Sequence, residues 1–393
     1  MKVCSLGKVL LVLLALATCN IVHAADITCD VPDEGVIKPN ELKTHISLTN
    51  YWQGAWGGVN TKNADRISGL YDLDLCYLLS AEESNNNLGD YILIAVSLQS
   101  SFGNGIGDSK VGSFFNLNEG VKGDYSIISD KAFVEFTVLD RLFTINIGKI
   151  DLIDYFDHSA VANEYKTQFF AYPLVQTDNI PFPSKGLGVR VQYDPSDFWY
   201  AQVAIEDAQA DKRETGFRTT FGDEDYFFSI AEVGIRPKFF DMPGTYRFMT
   251  WYDPQDKSYL DGSGRSRRDD LGFAVSFDQK ITQRITGFFR YGWAADDKVN
   301  EVEDFVSFGG QIEGLIDGRD EDVFAVGYAY GLRSPNGLSD VDERQIDLIE
   351  TYYSIKITAN LIITPNIQFV MNPGGFKNQS PATVFGLRTR IKF

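Results

Sequence analysis

Apolar and polar residues alternate with a period of two along most of the chain, which is the pattern of β-strands whose two faces meet different surroundings. In the final segment Phe385, Leu387 and Ile391 alternate with Arg388 and Arg390. About sixteen such segments, bounded by turn residues, predict an all-β chain with hardly a convincing helix. They span residues 43–52, 66–77, 89–101, 131–139, 142–150, 186–194, 197–207, 226–237, 244–252, 269–278, 282–293, 303–316, 322–331, 347–358, 362–371 and 382–393.

The two faces of these segments differ in a consistent way. In residues 282–293, for example, Ile285, Phe289 and Tyr291 alternate with Thr286 and Arg290. An apolar outer face with a small or polar inner face is the reverse of a water-soluble barrel. Each segment is long enough to cross an apolar layer when tilted, which takes ~9–11 residues. The pattern predicts a transmembrane antiparallel β-barrel of about 16 strands, while the final segment alone also fits the edge of a soluble sandwich.

The connections between segments alternate in length. Those expected to be short are 359–360, 317–321, 279–281, 238–243, 195–196 and 140–141, and 78–88 is longer than the rest of its class. The intervening ones are 372–381, 332–346, 294–302, 253–268, 208–225, 151–185, 102–130 and 53–65. Short periplasmic turns and long external loops are typical of outer-membrane barrels, so both termini are expected on the periplasmic side. The third external loop, 151–185, is the longest, and we expect it to fold inward and narrow a water-filled channel.

The start of the chain and its charge add two constraints. Residues 1–24 read as a secretory signal peptide, which leaves 25–42 as a periplasmic N-terminal segment and 43–393 as the barrel. Without the two lysines of the signal, 34 Lys and Arg oppose 54 Asp and Glu, a formal charge of −20. That excess of acid argues against nucleic acid as a partner and against an anion-capturing pore.

Two cysteines, Cys29 and Cys76, remain after the signal peptide. Cys76 falls on the inward parity of the second strand near its periplasmic end, and Cys29 precedes the first strand on that side. We therefore predict a disulfide between them in an oxidising periplasm. Two cysteines without a histidine at ligand spacing do not make a structural zinc site, and no cofactor motif stands out, so neither metal nor cofactor is expected.

Several segments of the chain carry a family resemblance. They are Tyr51-Trp-Gln-Gly-Ala-Trp-Gly-Gly58, Ile147-Gly-Lys-Ile-Asp-Leu-Ile-Asp-Tyr-Phe-Asp157, Asp304-Phe-Val-Ser-Phe-Gly-Gly310, Gly318-Arg-Asp-Glu-Asp-Val-Phe-Ala-Val-Gly-Tyr328, Asn372-Pro-Gly-Gly375 and the terminal Phe393. In this order the chain resembles the OprB-like carbohydrate-selective porins. The resemblance implies a sixteen-stranded porin surrounded by outer-membrane lipid in a Gram-negative-type bacterium. It also implies passive diffusion of monosaccharides such as glucose, often through a homotrimer.

Passage of a polyol needs hydrogen-bonding groups and flat apolar surfaces. The third loop offers three acids with two aromatic residues between them: Asp151, Asp154, Tyr155, Phe156 and Asp157. The inward parity of the wall adds Arg190, Gln192, Gln202, Glu206, Glu232, Arg236, Arg247, Trp251, Arg290, Gln311, Glu313 and Lys356. Arginines facing acids across a wet lumen would order water and favour polyhydroxyl or zwitterionic solutes. The alternative is that the acids only cap turns of the loop and the wall charges are only solvated.

Three other functions compete with sugar passage. The charge of −20 favours a general cation-preferring porin for small hydrophilic solutes. An outer-membrane hydrolase would need a nucleophile beside a histidine base, and only His45 and His158 remain after the signal. A structural or adhesive barrel would have a plugged lumen, although small inward residues such as Ala325 and Gly327 argue against plugging by side chains.

Overall fold

Sixteen long strands make up the barrel. The computed structural model describes residues 40–58, 64–84, 87–222, 226–336, 344–375 and 379–393. The predicted signal peptide and Cys29 lie outside these ranges. The barrel strands are β1 (Leu42–Gly57), β2 (Asp65–Ser84), β3 (Asn87–Phe102), β4 (Tyr125–Val138), β5 (Phe143–Ile150), β6 (Gly186–Ser196), β7 (Trp199–Asp207), β8 (Phe227–Ile235), β9 (Met242–Asp253), β10 (Asp270–Lys280), β11 (Ile285–Ala294), β12 (Val302–Glu313), β13 (Val323–Arg333), β14 (Gln345–Lys356), β15 (Leu361–Met371) and β16 (Ala382–Lys392).

Each strand pairs antiparallel with its neighbours in the chain, and β1 pairs with β16 to close the sheet. The closing register runs from Ser47 opposite Lys392 to Gly57 opposite Ala382. The predicted closed, antiparallel barrel of sixteen strands is therefore confirmed. Because the number of strands is even, β1 starts and β16 ends at the same rim.

Helix is limited to four short segments in the part of the chain that the structure describes: Gly107–Val111, Leu152–Asp154, Tyr172–Val175 and Phe217–Thr220. No helix within the described ranges is long and apolar enough to cross a membrane.

One rim carries short turns and the other carries long loops, as the sequence predicts. At the short-turn rim, Phe239 pairs with Met242 around Phe240 and Asp241, whose positive φ angles are typical of a tight hairpin turn. The expected long connection at 78–88 is wrong, because β2 continues to Ser84 and pairs there with β3. Two register shifts in this pairing interrupt the alternation from which strand ends were predicted.

The outer surface is apolar and the inner surface is mostly small or polar. Phe248 and Phe308 are about half exposed on the outside, at 52% and 46%. On the inside, Ser276, Ser307 and Arg290 are buried, although they face the lumen. These inner residues are covered because loops have folded into the barrel.

Two long loops enter the lumen. They are residues 103–124, which we call L2, and residues 151–185, which we call L3. The next long loop along the chain, residues 208–226, is called L4. Rings from L2 and L3 pack onto glycines of the wall: Phe115 on Gly331, Phe169 on Gly327 and Phe170 on Gly386, where an added Cβ would lie 3.0 Å from each ring. The small inward residues are thus the surface that receives the loops.

L2 also crosses the lumen, so L3, the loop expected to fold inward, is not alone in narrowing it. Gln368 Nε2 of β15 donates to Leu117 O at 2.8 Å, and Phe114 N donates to Pro373 O at 2.6 Å. L2 and L3 are joined by hydrogen bonds from Tyr172 N to Asn116 O and from Glu119 N to Phe170 O. The core of the protein therefore lies inside the barrel, between these loops and one side of its wall.

We call this packed side, from β5 to Arg388 of β16, the anchored half. The other side, formed by the inner surfaces of β1 to β4 with Arg390 and Lys392 of β16, is the open half.

Candidate functional site: the passage beside L3

L3 begins with a turn that uses two of the three predicted acids. Asp151 Oδ1 accepts a hydrogen bond from Ile153 N at 3.2 Å and so caps the helical turn Leu152–Asp154. Asp154 forms an ion pair with Lys131 of β4 at 2.6 Å. Asp151 also lies 3.4 Å from Lys185 at the end of L3. Burial raises the pKa of Asp151, and the nearby Lys185 opposes that rise. These two acids hold the base of the loop and line the cavity described below.

The third acid, Asp157, is an anchor. Its carboxylate accepts from Arg290 Nε at 3.0 and 3.1 Å, and both side chains are fully buried. The remaining donors of Arg290 reach four backbone carbonyls of L3, at Asp157, Ala162, Leu174 and Val175. Phe156 is also fully buried, in a cluster against the wall. Asp157, Phe156 and Arg290 therefore lie between loop and wall, not on an open passage as the sequence hypothesis has them.

The wall residues Arg190, Glu232 and Arg247 also face the anchored side of L3. The Arg190 guanidinium lies 4.4 Å from the centre of the Tyr155 ring. Glu232 accepts from Asp157 N at 3.3 Å. Arg247 pairs at 2.7 Å with Asp278 of β10, whose carboxylate in turn accepts from Ala160 N of L3.

Glu313 is placed elsewhere. It is exposed at the end of β12, at the short-turn rim, where Gln311 donates to it at 3.0 Å. It is therefore not part of the contact between L3 and the wall.

Two further anchors were not predicted from sequence. Glu350 of β14 accepts from Phe170 N at 2.6 Å and from Ala171 N at 3.0 Å. Arg388 of β16 donates to Tyr165 O at 2.7 Å and to Gln168 O at 2.9 Å. The inward parity of Arg388 was visible in the sequence, but its partners are loop carbonyls far away in the chain.

A cavity of about 680 Å³ remains between L3 and the open half. Its wall side consists of His45, Ser47, Asp74, Ala95, Val96, Ser97, Asp130, Lys131, Phe133, Glu135, Arg390 and Lys392. Its loop side consists of Glu119 and Lys122 of L2, Lys212 of L4, and the L3 residues Asp151, Ile153, Asp154, Tyr155, His158, Asn163, Glu164, Tyr165, Lys166, Thr167, Tyr172, Val175, Gln176, Pro183, Ser184 and Lys185. Because His45 and Lys392 lie near the short-turn rim and Lys122 and Lys212 lie in long loops, the cavity extends along the barrel axis.

The lining alternates in charge and contains aromatic rings. Lys166 of L3 pairs with Asp72 of β2 at 3.0 Å, and the Lys122 and Lys166 ammonium groups lie 4.9 and 5.7 Å from the centre of the Tyr165 ring. Asp130 and Lys131 are adjacent in the chain, yet both line the cavity. The β3–β4 register shifts at this point, because Lys131 and Ser129 pair with consecutive residues of β3 and leave Asp130 as the extra residue of a bulge. That bulge explains why period-two alternation does not find this pair.

Cys76 is buried in a small apolar cluster with Leu78, Tyr91 and Leu93, and it is disulfide-bonded. Since Cys29 lies outside the described residues, the pairing of Cys29 with Cys76 stays a prediction.

Comparisons of the sequence identify relatives. Residues 87–393 match the family described as carbohydrate-selective porin, OprB family. Porin B of Pseudomonas aeruginosa is 23% identical over 253 residues, which cover 54% of this chain and 56% of that protein. Porin AaxA of Chlamydia muridarum is 20% identical over 266 residues, which cover 68% and 55%. The chain thus spans little more than half the length of the curated relatives it matches.

Solved structures show the same fold. The high-pH structure of Pseudomonas putida OprB has a TM-score of 0.78 at 17% identity, with 90% of this chain and 94% of that chain covered. OmpT of Vibrio cholerae has a TM-score of 0.53 at 13% identity, with 90% and 97% covered. At these identities the likeness concerns the barrel itself.

Proposed function

Because the chain belongs to the OprB family of carbohydrate-selective porins, we propose that monosaccharides such as glucose diffuse passively through the cavity beside L3. The observation that supports this most is the arrangement of that cavity. Its volume of about 680 Å³ lies within the roughly 300–1,000 Å³ of small-molecule sites. The long-loop rim is the external one, as in other outer-membrane barrels.

The lining suits a polyol. The rings of Tyr155, Tyr165 and Tyr172 offer flat apolar surfaces to the C–H face of a sugar. Ser97, Asn163 and the paired charges offer donors and acceptors to its hydroxyl groups. The family and the fold are those of a channel rather than an enzyme.

The general cation-preferring porin remains the second candidate, because the charge of −20 favours entry of cations from outside. Several cavity acids are neutralised locally, however, by ion pairs such as Asp154 with Lys131 and Asp130 with Lys185. That neutralisation favours the sugar hypothesis over simple attraction of cations.

From the family resemblance we also propose that the barrel forms a homotrimer in the outer membrane. Native mass spectrometry of the detergent-extracted protein would give three times the mature chain mass. A single-chain mass in several mild detergents would contradict this proposal.

Planar-bilayer recordings test sugar passage. Glucose added to the external side is expected to lower the single-channel conductance in a saturable way, and liposomes containing the protein should swell in glucose. A conductance that glucose leaves unchanged, together with a strong cation preference in a salt gradient, would favour the general porin instead.

A further inference from the structure

The carboxylates that line the cavity all have partners within the protein. Besides the ion pairs described above, Glu135 accepts from Tyr91 at 2.6 Å and from Asn146 at 2.7 Å, and Glu164 accepts from Lys166 N at 2.8 Å. Asp74 accepts from Ser97 and lies 3.5 Å from His45. Glu119 pairs with Lys122, and Asp130 with Lys185. The negative charge of the lining is therefore already engaged by donors.

Two cations of the lining are different. Lys212 and Arg390 have no carboxylate within 4.0 Å among the residues that the structure describes. The Lys212 ammonium lies 5.1 Å from the centre of the Tyr125 ring. Arg390 Nε is buried and has no hydrogen-bond partner among the described residues. The unengaged charge of the cavity is positive, at its external end and again near the short-turn rim, in contrast to the acidic charge of the chain as a whole, from which no anion-capturing pore was expected.

The position of Lys212 is fixed by a buried lysine. Lys149 Nζ donates to Ser129 O and Lys212 O at 2.7 Å and to Glu214 O at 2.6 Å. Lys149 of β5 thereby joins L4 to β4, because it binds backbone carbonyl groups of both and one of them is the carbonyl group of Lys212. Burial lowers the pKa of Lys212, and the nearby Lys122 and Lys185 lower it further, while the more weakly acting Asp130 and Glu119 oppose this shift.

We propose that the cavity preferentially binds carbohydrates that carry an acidic group, with Lys212 contacting the anion at the external entrance and Arg390 contacting it near the short-turn rim. This rests on the proposed passage of sugars and specifies their class. A carboxylate or phosphate on the sugar would supply the charge-assisted partner that Lys212 and Arg390 lack. The tyrosine rings between them would contact the sugar ring, as proposed for glucose.

Glucose and glucuronate test the proposal, because they differ only in replacing a hydroxymethyl group by a carboxylate. Each sugar is titrated into planar bilayers that hold the full-length mature protein. The measured value is the sugar concentration that gives half of the maximal change in conductance. We expect a value for glucuronate roughly tenfold lower than for glucose, which corresponds to about 1.4 kcal/mol. Lys212→Met and Arg390→Met should each raise the glucuronate value several-fold and change the glucose value much less.

Three controls separate the outcomes. Lys212→Arg and Arg390→Lys keep the charge and should restore glucuronate affinity, while Lys298→Met removes a loop lysine that does not line the cavity and should change nothing. Inorganic phosphate that acts as strongly as glucuronate would overturn the proposal in favour of a free-anion site. Equal values for glucose and glucuronate would overturn it while leaving sugar passage intact, and no effect of either sugar would contradict sugar passage itself.

Discussion

The anchored and open halves of the lumen contact the same loop with similar residue types, yet their ion pairs differ in how far they are exposed. In the anchored half, Arg290 and Asp157 are fully buried, and backbone groups of L3 engage the remaining donors of Arg290. In the open half, the lysines of the ion pairs are partly exposed, at 26% for Lys131, 18% for Lys166 and 18% for Lys185. Of their partners, Asp154 is 39% exposed, while Asp72 and Asp130 are buried. One face of L3 therefore fixes the position of the loop, and the other face presents charged groups to the passage.

The difference between the two faces of L3 follows from how much water surrounds their charged groups. A buried charge is tolerated only when its partner and its remaining hydrogen bonds are all in place, which makes it a position-specific anchor. A partly solvated pair is weaker, because water screens it and competes for both groups. Such a pair can exchange a protein partner for a solute at small cost.

Removing the central anchor should have the largest effect. Arg290→Met leaves Asp157 charged, buried and unpaired, so the free energy of unfolding should fall by about 3–5 kcal/mol. L3 should also detach from the wall, so that the single-channel conductance rises. Arg284→Met, which removes an arginine with a side chain 59% exposed at the short-turn rim, is the matched control. Unchanged stability and conductance in Arg290→Met would mean that the anchored half does not hold the loop.

A milder change in the same half is Glu350→Gln. The amide keeps one acceptor oxygen but turns a donor group toward the N–H groups of Phe170 and Ala171, which should cost about 1–3 kcal/mol. Denaturant unfolding in detergent measures the loss, with Glu321→Gln at an exposed ion pair as control. A stability equal to that control would show that the Glu350 contacts contribute little.

The three acids of L3 that the sequence singled out should respond differently according to the half of the lumen that they face. Asp151→Asn with Asp154→Asn leaves Lys185 and Lys131 with less negative charge nearby, so the reversal potential in a salt gradient should shift toward anions while stability changes little. Asp157→Asn should instead lower stability. If the double variant and Asp157→Asn behave alike, the division into an anchored and an open face is wrong.

The smallest effect is expected at an aromatic surface of the open half. Tyr165→Leu removes a ring that lines the cavity, and the loss of about 0.5–1.5 kcal/mol should weaken the conductance block by glucose a few-fold. Tyr259→Leu, in an external loop outside the cavity lining, serves as the matched control. A block equal to that of the control would place sugar contacts elsewhere on the lining.

Local sequence patterns were sufficient to predict the barrel. Period-two alternation depends on neighbouring residues only, so sixteen strands, their inward and outward faces and the alternation of turn lengths could be predicted from local patterns. The exceptions were also local: the bulge at Asp130 and the paired extension of β2 and β3 break the period.

Which inward residues line the cavity depends on the tertiary structure. The partner of Arg290 lies 133 residues away, and those of Arg388 are carbonyls of Tyr165 and Gln168, so no spacing in the sequence reveals them. Once L3 packs against the wall from β5 to Arg388 of β16, those wall charges become its anchors. The passage then forms on the opposite side, where Lys131, Lys212 and Arg390 line it, because a loop of fixed length fills one half of the lumen and leaves the other open.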